Sequence, residues 1–277
     1  MIFTQIHTAL LTQRDHLAYC SIHGTRTYAQ LAHESAAIQH FLREYVLEHK
    51  PIVLWGQKEP LMISALLACV LSGYPYVPID SGIPRFRLEA LLAQIQPALI
   101  LAVAPFPLSD ARCVDAAHLT ALCNGSGQEP RLLPVSPERA VYHLYTSGSS
   151  GTPKGVVIRR KDLCCFSSWM QSLFPEAPCR ILNQASFSFD LSVADLYQTL
   201  STGAALYAPD VQLWRQPMEL FRFLMQSNAE LAVFTPSFAE LLIADAAFCA
   251  ANFPALKTIF FCGENLKPSL VRSLWYL

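Results

Sequence analysis

Apolar positions along this chain alternate between two patterns. Short apolar runs, such as Ile52-Val53-Leu54-Trp55, Tyr76-Val77-Pro78-Ile79 and residues 98–103, read as strands. Between them lie longer stretches of helical period. Residues 2–13 form the first, and 18–22 and 25–28 read as two strands around the turn His23-Gly24. The helix that follows runs to about Glu48, with Leu31, Ile38, Phe41, Leu42 and Tyr45 on one face. Helices 60–72 and 84–95 complete the first alternation. Further on, helix 161–173 and strand 180–184 precede a second alternation: helix 193–201, strand 204–207, helix 217–227, strand 231–234, helix 237–245, strand 258–262 and helix 268–276. Strands alternating with helices predict an α/β layered fold with a largely parallel sheet. Residues 105–137, with Pro105, Pro107, Pro130 and Asn124-Gly125-Ser126-Gly127, read as surface connection. Phe174-Pro175-Glu176-Ala177-Pro178 breaks a helix and suggests a subdomain boundary near residues 175–180.

The strand pattern is interrupted once by polar residues of unusual density. Residues 140–145 and 156–158 are strand-like, and between them lies Thr146-Ser147-Gly148-Ser149-Ser150-Gly151-Thr152-Pro153-Lys154-Gly155. Glycines let backbone N–H groups turn inward as an anion-binding nest. The hydroxyls of Thr146, Ser147, Ser149, Ser150 and Thr152 add donors, and Lys154 adds a positive charge. That chemistry suits a polyphosphate. The spacing is not that of a Walker A loop, because the lysine is followed by glycine rather than Ser or Thr. A flexible Ser/Gly connection is the plainer reading, but it sits badly between two tight apolar strands and beside the stiff Pro153.

Composition narrows the class. The chain has 277 residues and a net charge of −1, so nothing electrostatic points to nucleic acid or an anionic membrane as partner. Charged residues are 15% and hydrophobic ones 52%, which suggests a large core or apolar surface covered by something else. Nine cysteines without C-x-x-C spacing argue against a disulfide framework or zinc site and for reduced thiols in a cytoplasmic protein. No signal peptide is apparent, and the longest apolar run, residues 61–71, is too short to span a membrane.

The loop 144–155 resembles, nearly residue for residue, the phosphate-binding signature of the adenylate-forming (AMP-binding) enzymes, the acyl- and aminoacyl-adenylating ligases. Further stretches fit in order: Thr27-Tyr28-Ala29-Gln30-Leu31, where Tyr28 and Leu31 serve equally as core residues, and Ser72-Gly73-Tyr74-Pro75-Tyr76-Val77-Pro78-Ile79-Asp80 with Pro84 and Arg87. In Phe187-Ser188-Phe189-Asp190-Leu191-Ser192 the resemblance assigns the aspartate to the substrate ammonium. The physics agrees, since a carboxylate in an aromatic pocket makes a strong charge-assisted bond. Ser192-Val193-Ala194-Asp195 reads as a capping box, so Asp190 is not needed as a cap. Phe260-Phe261-Cys262-Gly263-Glu264 resembles a strand-end segment lining the nucleotide and acyl pocket; an ordinary turn with Glu264 near a helix N-terminus explains Gly263 and Glu264 equally well.

Within that superfamily the resemblance is densest to the D-alanyl carrier protein ligases, also called D-alanine–poly(phosphoribitol) ligases. It runs through residues 182–197, Thr235-Pro236-Ser237-Phe238 and 261–264, and implies that Cys262 borders the small side-chain pocket. The implied fold is the layered αβαβα N-terminal core of adenylate-forming enzymes, truncated, with residues 1–277 as the N-terminal portion of an adenylation domain and the C-terminal domain absent. The implied activity is ATP-dependent activation of a small amino acid, D-alanine favoured, as its adenylate, with transfer to the phosphopantetheine thiol of a carrier protein. ATP and Mg2+ are the implied cofactors, with the metal ligand expected outside these residues. Neither a Y-G-P-T-E nor an R-T-G-D segment occurs, so the expectation is a chain inactive alone. The alternatives are a non-catalytic remnant or subunit served by a second chain, and a peptide-synthetase adenylation domain fragment. Fatty-acyl activation fits less well, because Asp190 would face an apolar chain.

Overall fold

The computed structural model describes residues 2–125, 129–146, 153–174 and 176–275. In chain order the elements are α1 (Ile2–Thr12), β1 (Leu17–Ser21), β2 (Gly24–Thr27), α2 (Tyr28–Tyr45), β3 (Ile52–Gly56), α3 (Pro60–Ser72), β4 (Tyr76–Asp80), α4 (Arg85–Ile95), β5 (Leu99–Ala102), β6 (Cys113–Val114) and α5 (Ala116–Cys123). There follow β7 (Ala140–Thr146), β8 (Lys154–Arg159), α6 (Arg160–Ser172), β9 (Arg180–Asn183), α7 (Leu191–Thr202), β10 (Ala205–Tyr207), α8 (Val211–Trp214), α9 (Pro217–Ser227), β11 (Leu231–Phe234), α10 (Pro236–Ile243), β12 (Thr258–Phe261) and α11 (Pro268–Trp275).

The strands form two six-stranded sheets, as the implied αβαβα layering requires. The first runs β6-β5-β3-β4-β7-β8 and the second β12-β11-β9-β10-β1-β2. Each is parallel except for an antiparallel edge pair, β7 with β8 and β1 with β2. The N-terminal hairpin thus joins the sheet built mostly from the second half of the chain, through β1 alongside β10.

Strand periodicity explains the layers. Side chains on successive residues point to opposite faces. Ile52 and Leu54 of β3 join the central core, whereas Val53 and Trp55 meet Leu88, Leu91, Leu92 and Ile95 of α4. In the second sheet Ile181, Leu206, Leu231 and Val233 face the centre, and Leu182, Ala232 and Phe234 face α9 and α10. The result is the five-layered αβαβα arrangement. Helix α3 lies in the central layer and buries every residue but Leu61, as its continuous apolar sequence requires. It ends at Gly73, whose φ of +78° is left-handed and whose missing Cβ leaves room for Val135.

The helix pattern predicted α3 at its observed bounds, but four expectations change. The connection 105–137 contains β6 and α5; Asp115 caps α5 by accepting from the His118 N–H at 2.8 Å, a D-x-x signal hidden by the flanking prolines. The short α8 was not anticipated; Asp210 caps it. The largely parallel sheet read from the alternation becomes two mixed ones, as the αβαβα layering implied by the resemblance requires. The proposed Ser192–Asp195 capping box does not form. The helix begins two residues earlier, so Asp190 is the N-cap, Ser192 Oγ donates to the Phe189 carbonyl at 2.7 Å, and Asp195 points into the core. Among the described residues no helix is long and apolar enough to cross a membrane.

Candidate active site

In parallel α/β sheets ligands gather beyond the carboxyl ends of the strands. There this protein has a cleft of about 470 Å3, built from both sheets. The first sheet contributes Gln57 and Lys58 after β3 and Asp80 at the end of β4. The second contributes Gln184, Ala185 and Ser186 after β9, Pro209 after β10, Thr235 after β11, and Gly263 with Glu264 after β12. Phe189, Leu191, Val211 and Trp214 supply an apolar wall, and Asp190 stands beside it.

Three of the residues singled out in the sequence therefore share one cleft: Asp190, Gly263 and Glu264. Asp190 occupies the N-cap position of α7, yet its carboxylate makes no cap hydrogen bond. Its charge reaches Tyr142 of β7, where burial, and after it Asp190, raises the phenol. Glu264 is engaged differently. Its carboxylate accepts from the Ser237 N–H at 3.0 Å and the Ser237 hydroxyl at 2.7 Å, satisfying a donor in the first turn of α10. The helix-terminus reading of Glu264 thus has a concrete partner, on α10 rather than on the following α11. Gly263 has a φ of +87°, a conformation glycine reaches without strain.

Cys262 lies half-buried against the central core, one residue before the cleft-lining glycine. Burial, with smaller pushes from Asp195 and Asp190, raises its thiol to about 11, so at neutral pH it is a protonated, weakly polar side chain. Thr146 and Lys154 face each other across the ends of β7 and β8, both exposed. Ser147, Gly148, Ser149, Ser150, Gly151 and Thr152 lie outside the described residues.

A polar network beneath the cleft was not foreseen. The Lys58 ammonium is buried and donates to Asn183 Oδ1 and, at 2.5 Å, to the Ala185 carbonyl. It also sits 3.9 Å over the Phe187 ring. Asn183 passes the contact on, donating from Nδ2 to Asp195 Oδ2 at 2.8 Å. Burial pushes the Lys58 ammonium down, against the pull of Asp195, Asp80 and Asp210; burial likewise pushes the Asp195 carboxyl up. Alongside, Asp80 accepts from Gln57 Nε2 and from the Ser186 hydroxyl, both at 2.7 Å. The signal available in sequence was positional: Gln57-Lys58 directly follows a strand in an α/β pattern, and strand ends of that kind line ligand clefts.

Among the described residues no three His, Cys, Asp or Glu side chains gather as a metal-holding group.

Comparison with known proteins agrees with this architecture. The chain is 36% identical over 284 aligned positions to the D-alanine–D-alanyl carrier protein ligase of Bacillus thuringiensis (strain Al Hakam), covering 99% of this chain and 55% of the relative. It is 37% identical over 259 positions to the ligase of the same description from Bacillus cytotoxicus, covering 90% of this chain and 50% of the relative. The chain thus spans about half the length of the curated relatives it matches. Among solved structures, VinN in complex with L-aspartate superposes with a TM-score of 0.87 at 21% identity, covering 100% of this chain and 72% of VinN. The N-terminal subdomain of Klebsiella oxytoca NpsA, in complex with 3-hydroxybenzoyl-AMSN, superposes with a TM-score of 0.80 at 21% identity, covering 98% of this chain and 68% of that one. At these identities the structures establish the fold alone. With the AMP-binding enzyme family matching residues 7–277, nearly the whole sequence, this chain belongs to the AMP-binding enzymes and has the fold of their N-terminal part.

Proposed function

We propose that this chain forms the amino-acid-recognising part of a ligase that activates a small amino acid, D-alanine favoured, with ATP and passes it to the phosphopantetheine thiol of a carrier protein. The observation that carries this reading is Asp190. Its carboxylate stands at a cleft with an apolar wall and is not used to cap the helix it begins. A carboxylate so placed makes a charge-assisted bond to an ammonium. The names of the curated relatives, D-alanine–D-alanyl carrier protein ligases, support the substrate and the carrier.

In the proposed reaction the amino-acid carboxylate attacks the α-phosphorus of ATP. An O–P bond forms, the bond to the bridging oxygen breaks, and pyrophosphate leaves with its electron pair. Both reactants are anions, so positioning and charge neutralisation carry the rate. Asp190 fixes the ammonium end. Thr146, Ser147, Gly148, Ser149, Ser150, Gly151, Thr152 and Lys154 are proposed to hold the departing phosphates, by the chemistry of hydroxyl and amide donors around one cation. Gly263 is proposed to offer backbone without a side chain beside the nucleotide, Glu264 lines the same cleft, and Cys262, one residue before Gly263, is proposed to border the side-chain pocket from the core side. Mg2+ would add screening of the phosphate charges.

A second reading draws on the length of the match. The chain spans 55% of the first relative, and in this reading the groups that complete the site lie outside these residues.

The test has two arms. Binding of a non-hydrolysable alanyl sulfamoyl adenosine, in D and L forms, is measured by calorimetry on wild type and Asp190→Ala. The D form is expected to bind more tightly, and the variant to lose about 10- to 100-fold, the range for one charged hydrogen bond. Equal binding by the variant sinks the role of Asp190. Amino-acid-dependent ATP–pyrophosphate exchange with D-alanine, L-alanine, glycine and serine then separates the two readings. Exchange by these 277 residues alone removes the need for groups outside them.

A further inference from the structure

We infer that Lys58 is a positioning residue, holding the segment that carries Asp190 in place across the gap between the two sheets. The inference rests on the proposed reading for what Asp190 grips, but its geometry is independent of it.

Lys58 follows β3 of the first sheet, whereas Asn183 and Ala185 end β9 of the second. The ammonium therefore bridges two sheets whose strands share no ladder. A lysine has three N–H donors and no acceptor. Here Asn183 Oδ1, the Ala185 carbonyl and the face of Phe187 provide three places for them. Although Lys58 lines the cleft, its hydrogen-bonding capacity is turned to the protein rather than to a ligand. A surface lysine making such contacts would contribute little, but this one is 4% exposed, and a buried cation is tolerated only where its donors are satisfied.

The partners lie on one short stretch. Asn183, Ala185 and Phe187 precede Asp190 on the path from β9 to α7. The same stretch is held again at Ser186 by Asp80, from β4 of the first sheet. On the other side Asn183 is braced by Asp195, one turn into α7 beyond Asp190. Lys58 thus ties down the entry to the segment, and Asp195 its exit. Removing the ammonium frees the Ala185 carbonyl and one face of Asn183, and the loosened segment is the one whose far end presents the ammonium-binding carboxylate.

Amide hydrogen exchange on the full chain without ligand tests this directly. In Lys58→Met the amides of residues 185–191 are expected to exchange about tenfold or more faster than in wild type, while those of β5 keep their rates. Because that variant leaves Asp195 without its counter-charge, Lys58→Met/Asp195→Asn is measured beside it, and the same local loosening is expected. Unchanged exchange over 185–191 in the double variant overturns the inference. So does a rise shared with β5, outright unfolding included, because the lysine would then serve the whole fold and not this segment. In the second arm the affinity of Lys58→Met for the D-alanyl sulfamoyl adenosine analogue is expected to fall about tenfold, whereas an affinity equal to wild type overturns the inference. Wild-type protein that binds no such analogue defeats the functional reading, and exchange over 185–191 then decides the role of Lys58 by itself.

Discussion

Asp190 and Glu264 are two carboxylates on one cleft, and the structure uses them in opposite ways. Glu264, at the end of β12, takes two donors from Ser237 and completes the start of α10. Asp190, at the start of α7, occupies a cap position without capping. A carboxylate has capacity for several hydrogen bonds. Where the protein consumes it, the group supports structure; where it does not, the capacity remains for something that binds. Hydrogen-bond accounting therefore separates two residues that charge, motif and location treat alike.

The comparison breaks most visibly through ligand affinity. Asp190→Ala is expected to weaken the alanyl analogue by about 10- to 100-fold while its melting temperature stays close to wild type, since the cost to stability is about 0.5 kcal/mol or less. Asp190→Asn, which keeps the shape and loses the charge, should fall nearer to the alanine variant than to wild type. A next-largest effect is expected at the other end. Gly263→Ala puts a side chain at φ +87°, costing about 1–2 kcal/mol in urea denaturation, with strain rather than collision as the cause, because the nearest atom to the added methyl is Thr235 Cγ2 at 3.8 Å. Glu264→Ala removes the α10 partner and should cost about 1 kcal/mol, the ordinary worth of a lost cap, while changing analogue affinity less than Asp190→Ala does. A larger affinity loss at Glu264 than at Asp190 would reverse the assignment.

The smallest effect sharpens the boundary between cleft and core. Cys262 stays protonated in the folded chain up to about pH 11, whereas an unfolded cysteine ionises near 9. Between those values the folded state holds a proton the unfolded state has released, so this group's contribution to stability falls as pH rises through the window. Denaturant midpoints of wild type and Cys262→Ala, compared at pH 8 and pH 10.5, should show a steeper decline in the wild type. Iodoacetamide at pH 8 should label the exposed Cys165 and Cys179 well before Cys262.

Much of this molecule was legible before any coordinates. Helix α3 is apolar on all sides, which only a buried helix tolerates, and Pro60 and Gly73 mark its two ends. Asp190, Gly263 and Glu264 were singled out by short motifs and share one cleft. The failures are equally instructive. Asp195 had the spacing of a capping residue, but a two-residue change in where α7 begins turned it into the core beside Asn183. Lys58 is, in the sequence, one polar residue among others after a strand. Its importance comes from Asn183 and Ala185, about 125 positions away along the chain.

Local features were legible in the sequence itself: the alternation of strand and helix, the polar run between two apolar, strand-like stretches, and the carboxylate, hydroxyl and lysine side chains that its short motifs carry. These depend on side chains within a turn or a strand of one another, where periodicity and backbone preference act directly. Only the tertiary structure decided which strands share a sheet, that the N-terminal hairpin completes the second sheet, and that a lysine from one sheet bonds the segment between β9 and α7 of the other. Those outcomes turn on contacts between residues far apart in sequence, and a buried cation has no meaning until the groups that satisfy it have been brought around it.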